Sequence, residues 1–209
     1  MGTDHGQAQC LAFVTEVLLK RYVRDYLVLL AIAGPIIALD QWTKWLIRET
    51  LPLGGSWLPA GWDGLAPYAR IIHWYNTGAA FGLFQNGSIV FMILAFIVAG
   101  LIIYYYPRIE HPDWTLRIAM GLQFAGAVGN LIDRILRNGQ VTDFISVGNF
   151  PVFNVADSSI SVGVAILLLG VWIREWKERK AQKTGTGEGG ADAGEDGQGL
   201  DPAEARERA

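Results

Sequence analysis

Four blocks of apolar residues alternate with short polar stretches: Tyr26–Ile47, Ser88–Tyr106, Trp114–Leu136 and Ala156–Trp172. A helix crosses a bilayer with about 20 mostly apolar residues, and each block reaches or approaches that length. A buried helix of a soluble bundle would show a polar face at the helical period, and Ile89–Ile103 shows none. The pattern predicts an all-α polytopic membrane protein with four transmembrane helices, at about 26–47, 88–106, 114–136 and 156–173. A cleavable leader is the weaker reading of the first block. Lys20, Arg21 and Arg24 precede it, but no small-residue cleavage site ends it.

The basic residues orient these spans. With the N-terminus inside, ten Lys and Arg flank the cytoplasmic ends, from Lys20, Arg21 and Arg24 to Lys180 and Lys183. The outer segments hold four: Arg48, Arg70, Arg134 and Arg137. This positive-inside bias and the even number of spans place both termini in the cytoplasm. Spans two and three need only the turn Pro107–Asp113, where Asp113 is placed to cap the next helix. Spans one and two are joined by Arg48–Gly87, far longer than a return requires. Trp57, Trp62, Tyr68, Trp74 and Tyr75 lie there among Gly and Pro. They fit either an interfacial aromatic belt or a small outer-face platform of short strands or amphipathic structure.

Composition sharpens this picture in two ways. Of 209 residues, 51 % are apolar and 18 % charged, with a mean hydropathy of +0.26, which excludes a disordered chain. The net charge of −3 belongs to the end of the chain, where residues 181–209 hold seven acids and three bases. No global field remains to attract nucleic acid. The chain therefore divides into a cytoplasmic N-terminal segment (1–25), a four-span membrane domain (26–176), and a basic flank with a disordered acidic cytoplasmic tail (177–209). Cys10 is the single cysteine, so an internal disulfide and a Cys-rich zinc site are excluded. It has no preceding apolar segment that would mark it as a lipidation site.

Polar groups inside spans are costly and call for a reason. Asp40 and Lys44 lie one turn apart near the outer end of span one. Gly126, Asn130, Asp133 and Arg134 form one stripe near the outer end of span three; Asn154 and Asp157 open span four; Asp143 lies in the loop between them. Taken singly, each has a plain structural reading: an i, i+4 ion pair, interhelical glue, close helix packing, or a carboxylate at a helix N-terminus. Together they converge at one depth from three spans and a loop, and structural roles explain the set less well.

The sequence lacks an HExxH helix, and His5, His73 and His111 are too far apart in the topology to share a metal. No histidine stands beside Ser146, Ser158 or Ser159 to activate a nucleophile. Carboxylates remain. Asp143 and Asp157 are fourteen positions apart, and a loop folding back onto span four would bring them together. Two carboxylates about 4 Å apart repel by about 4 kcal/mol at an effective dielectric of 20, so one keeps a proton near neutral pH. Such a pair activates water in aspartic proteases, and which member is acid and which base is left open by the sequence.

At these residues the chain resembles the bacterial lipoprotein signal peptidases, or signal peptidase II. The matching segments are Asp40–Lys44 (DQWTK), Asn76–Gly82 (NTGAAFG), Gly126–Arg134 (GAVGNLIDR), Val141–Phe144 (VTDF) and Phe153–Ser158 (FNVADS), in family order. The resemblance implies a plasma-membrane (inner-membrane) aspartyl endopeptidase, acting near the outer face. It would remove signal peptides from diacylglyceryl-modified prolipoproteins. By the same match Asp143 and Asp157 are catalytic. Asp40, Lys44, Asn76, Gly126, Asn130, Asp133, Arg134, Asn154 and Ala156 take supporting and substrate-contacting positions. Membrane lipids and prolipoproteins are the expected partners, with no nucleic acid, no metal and no cofactor, and the chain is expected to act as a monomer.

Physical roles for some of these positions are suggested separately. The Asn76 and Asn130 amides suit a substrate backbone, Arg134 held by Asp133 would order the loop carrying Asp143, Ala156 would leave room for the scissile bond, and the Asn76–Gly82 turn would form a cover. The rival reading is a small proton-coupled transporter or channel subunit with Asp40, Asp133, Asp143 and Asp157 as a relay. Such proteins usually place charge at the midplane and show internal repeats, unlike this sequence.

Overall fold

The computed structural model describes residues 3–78, 87–110 and 113–185. Four helices run in chain order: α1 (Thr3–Thr50), α2 (Ser88–Tyr105), α3 (Trp114–Leu136) and α4 (Val155–Gly185). Three strands lie between them: β1 (Ser56–Trp57) and β2 (Ala69–Asn76) after α1, and β3 (Val141–Val147) between α3 and α4. The acidic tail and residues 79–82 of the expected cover lie outside the described residues.

Among the described residues three helical segments are long and apolar enough to cross a membrane: Thr15–Thr50, Ser88–Arg108 and Val155–Gln182. Their outward side chains, such as Leu30 and Trp42 on α1, Ile89 and Phe96 on α2, and Leu168 on α4, are apolar and exposed, as lipid-facing residues are. Helix α3 is the exception to the sequence pattern. It buries Arg117, Gly126, Asn130 and Asp133 together with alanines and further glycines, because protein packs against it on several sides. A helix surrounded by protein can carry polar groups that a lipid-facing one cannot.

Small residues set how closely α3 and α4 approach. Ala156, Gly163 and Gly170 recur every seven positions on α4. A methyl group at Gly163 would meet Ala119 O at 2.8 Å, and one at Gly170 would meet Thr115 Cγ2 at 2.6 Å. On α3, a methyl at Gly126 would collide with the Ala156 carbonyl, and one at Gly129 would lie 2.7 Å from Asp40 Oδ2. Close backbone approach through small residues is the usual basis of helix packing in lipid. As expected, Asp113 caps α3, its Oδ1 accepting from Leu116 N at 3.1 Å. At the other end, Gly139 takes φ +89°, its N–H bonds Arg134 O, and its carbonyl accepts from Ser88 Oγ at 2.7 Å, seating α3 on the start of α2.

The sheet is antiparallel, ordered β1-β2-β3, with Trp74 opposite Asp143 and Asn76 opposite Val141. Short strands after α1 agree with the platform reading. The third strand differs from the sequence expectation of a loop at Asp143. Val141, Thr142, Phe144, Ile145 and Val147 favour extended backbone, and β2 supplies the ladder that makes them a strand. After β3 the chain turns at Gly148 and doubles back. Phe153 pairs with Ile145 (N···O 3.1 and 2.8 Å), which delivers Asn154 and the start of α4 to the middle of β3.

The last turns of α4, from Val171, form a separate unit. There Arg179 pairs with Glu175 at 3.2 Å and the Lys180 ammonium lies 4.8 Å from the Trp176 ring.

Candidate active site

The doubling back of the chain brings Asp143 and Asp157 into one hydrogen-bonded network. Asn154 stands immediately before α4. Its Oδ1 accepts from Asp157 N (3.0 Å) while Asp157 Oδ2 accepts from Asn154 N (3.2 Å), a reciprocal cap of the helix. The Asn154 amide donates to Asp143 Oδ1 at 2.7 Å and to Asn130 Oδ1 at 3.1 Å. The Asn130 amide donates to Asp157 Oδ1 at 2.7 Å. Asn76, diagonal to Asp143 across the β2–β3 ladder, donates to Asp143 Oδ2 at 3.0 Å. Its Oδ1 accepts from Gly78 N at 2.9 Å. The expected substrate-facing amides of Asn76 and Asn130 are thus engaged by the carboxylates.

Beneath this pair lies a second, charge-balanced layer. Lys44 and Asp40 form a 2.8 Å ion pair, both fully buried. Asp40 Oδ1 also accepts from Ala156 N at 2.9 Å, tying α1 to the first turn of α4 where the helix dipole favours an anion. Lys44 Nζ donates to Asn130 Oδ1 at 2.9 Å and lies 3.6 Å from Asp133. Asp133 is further approached by Arg48 and Arg137, each at 3.7 Å, and accepts from Thr142 N at 2.9 Å. Asp133 therefore orders β3 directly. Arg134 is not its partner: it faces the cavity, bonds its own helix at Asn130 O (3.4 Å) and lies 5.4 Å from the Phe91 ring.

The two layers differ in charge. Among the described residues no cation lies within ion-pair distance of Asp143 or Asp157; amides alone hold them. Burial and the neighbouring Asp157 push the Asp143 carboxyl up from 3.8 to about 7, against the Asn76 and Asn154 hydrogen bonds and the Lys44 charge. Such a group exchanges a proton near neutral pH.

Both carboxylates line a cavity of about 770 Å³ with Asn76, Asn130 and Arg134. Most of its other lining is apolar, including Leu94 and Val98 of α2, Ile160 of α4 and Phe150–Phe153, with Gln123, Ser158 and Ser161 as polar exceptions. Space of this kind suits an acyl chain or an apolar peptide. Among the described residues no three His, Cys, Asp or Glu side chains converge as metal ligands.

Sequence reasoning passed over several contributors. Arg48 continues the Asp40, Lys44 stripe by one more turn, a spacing that would have revealed it; it also donates to Thr142 Oγ1 at 3.0 Å. Gln41 bridges Asp40 and Gly129 O at 3.0 Å each. Arg117, one of the ten cations counted in the cytoplasmic flanks, is buried against Asp25 at 3.1 Å.

A helical membrane protein with a pair of carboxylates lining a largely apolar cavity is the class that fold and site define. The family model described as signal peptidase (SPase) II matches residues 32–173. The lipoprotein signal peptidase of Halalkalibacterium halodurans is 42 % identical over 156 residues, covering 73 % of this chain and 94 % of the relative. That of Bacillus subtilis is 39 % identical over 155 residues, covering 72 % and 97 %. A solved structure described as a bacterial membrane enzyme superposes with a TM-score of 0.63 at 32 % identity, covering 69 % of this chain and 87 % of that one. The chain belongs to the signal peptidase II family, and is accordingly a protease.

Proposed function

We propose that this protein is an aspartic endopeptidase of the bacterial plasma membrane that removes signal peptides from diacylglyceryl-modified prolipoproteins. One observation carries the reading. Among the described residues Asp143 and Asp157 are bridged through Asn154 and Asn130 with no ion-pair partner, beside carboxylates that have one, and the Arg134 guanidinium of the same cavity acts on them only at longer range. Four spans, with α3 as the third, and cytoplasmic termini put this pair near the outer face, where a signal peptide ends. The apolar cavity takes the lipid and the apolar signal sequence.

The pair holds one proton near neutral pH. It resides on Asp143, the more deeply buried member, and Asp157, at the N-terminus of α4 where it accepts from two N–H donors, serves as the base. Asp157 takes a proton from water as its oxygen bonds to the scissile carbonyl carbon. Asp143 gives its proton to the carbonyl oxygen, forming a neutral tetrahedral diol. Collapse breaks the C–N bond; the proton held by Asp157 goes to the leaving nitrogen and a hydroxyl proton returns to Asp143. The products are a carboxyl end and the amine of the lipidated cysteine.

The test is cleavage by the purified full chain of one prolipoprotein with and without the diacylglyceryl group. Cleavage of the lipidated form before its cysteine supports the reading. No cleavage of it, or equal cleavage of the unlipidated form, overturns it.

A further inference from the structure

Helix α3 carries a second amide into the cavity. Gln123 lies seven residues before Asn130 on the same face, about 10 Å further from the carboxylates at 1.5 Å per residue. It is half-buried and lines the cavity along with the apolar residues Leu94, Val98 and Ile160, and its amide has no hydrogen-bond partner among the described residues. Its position depends on Gly163 of α4: a methyl group there would lie 3.1 Å from Gln123 Cγ, so the absence of a side chain leaves room for the Gln123 stem. A primary amide on an apolar wall, with neither of its groups satisfied, awaits a polar partner that arrives with the ligand.

Resting on the proposed function, we infer that Gln123 binds the backbone of the signal peptide about three residues before the scissile bond. An extended chain advances about 3.3 Å per residue, so a peptide leaving the carboxylate pair along α3 reaches Gln123 with its third peptide group. That group has one donor and one acceptor, which the glutamine amide matches with one of each. Lipid esters offer acceptors only and would leave the glutamine oxygen unused. Extended backbone in an apolar cavity has to find such partners, since no water replaces them. Gln123 is thus a positioning residue for substrate, remote from the reacting atoms.

The experiment pairs the full-length Gln123→Leu variant with a lipidated substrate whose third amide before the cut is replaced by an ester, which removes its N–H. The wild-type chain on the ordinary substrate is the control. Failure there removes the proposed function itself, whereas normal turnover isolates the question of Gln123. With two neutral hydrogen bonds at stake, KM rises roughly tenfold in Gln123→Leu with kcat little changed. The ester raises KM several-fold in wild type and has little further effect in the variant. Gln123→Met, unbranched and apolar like the glutamine stem, reproduces the loss if the amide rather than packing is responsible. Equal ester penalties in wild type and variant, or an unchanged KM in both variants, overturn the inference. So does a variant insensitive to replacing the lipid esters by ethers but still sensitive to the peptide change, which assigns the amide to the lipid.

Discussion

Among the described residues the bundle buries ionic groups around Asp25 and at its sheet end, and only the sheet end also holds carboxylates without an ion pair. Around Asp25, the Arg117 guanidinium lies 3.1 Å away, and Arg21 and Arg24 each approach to 3.9 Å. Arg117 also donates to Ile109 O at 3.2 Å and lies 5.3 Å from the Tyr106 ring, beside the cluster of Leu29, Ile102, Tyr106 and Ile109. Neither Asp25 nor Arg117 lines the cavity that holds the candidate site. At the sheet end, Asp40 and Asp133 are treated the same way, by Lys44, Arg48 and Arg137. Asp143 and Asp157 are not. A buried carboxylate with a cation is scaffold; one held only by amides, next to another carboxylate and at a cavity, is equipped to move a proton.

The largest expected effect breaks the contrast at its reactive side. Asp143→Asn or Asp157→Asn lowers kcat for prolipoprotein cleavage by about 10²–10⁴-fold, the worth of a general acid or base, with the fold retained. Mass spectrometry of the products and thermal unfolding in detergent check this, and near-wild-type turnover by either variant would erase the distinction drawn above. Next comes the scaffold side. Asp25→Ala strands the Arg117 charge and costs about 3–5 kcal/mol of stability, while the folded enzyme turns over at the normal rate. Replacing both, as Asp25→Leu with Arg117→Met, restores most of the loss if the pair is purely structural. The smallest effect is on pH dependence. Asp143 binds its proton more tightly folded, at about 7, than at its ordinary value of 3.8, so native protein holds the extra proton between these values. Its contribution to stability is complete below about pH 4 and lost as pH rises through about 7. Unfolding followed across this range should show a decline in wild type that Asp143→Asn flattens, while cleavage by wild type falls above about pH 7 as the shared proton leaves.

Much of the site is legible in the sequence because its residues are polar where lipid forbids polarity. Asp40, Lys44, Asn130 and Asp133 stand out against apolar helices, and their places within the spans, with the alternating direction of those spans, assign them to one end. Arg48 reads only as an outer flanking cation because it sits where span one ends, and Gln41 is overshadowed by the charged residues Asp40 and Lys44 of its own motif. Arg117 reads as one more cytoplasmic flanking cation, and nothing in the local sequence singles out Asp25 as its partner. The role expected for Arg134 fails on a finer point: adjacent helical residues point about 100° apart, so Asp133 faces α1 and β3 while Arg134 faces the cavity.

The length of the apolar blocks by itself pointed to membrane-crossing helices, since backbone in lipid has few other ways to satisfy its hydrogen bonds. The five motifs determined the family. Only the tertiary structure decided that Asp143 lies on a strand, that the return through Phe153 delivers Asn154 and Asp157 to it, and which carboxylates receive cations. Those are long-range pairings between segments whose local preferences are compatible with several partners, and packing of α3 against α1 and α4 through small residues selects among them.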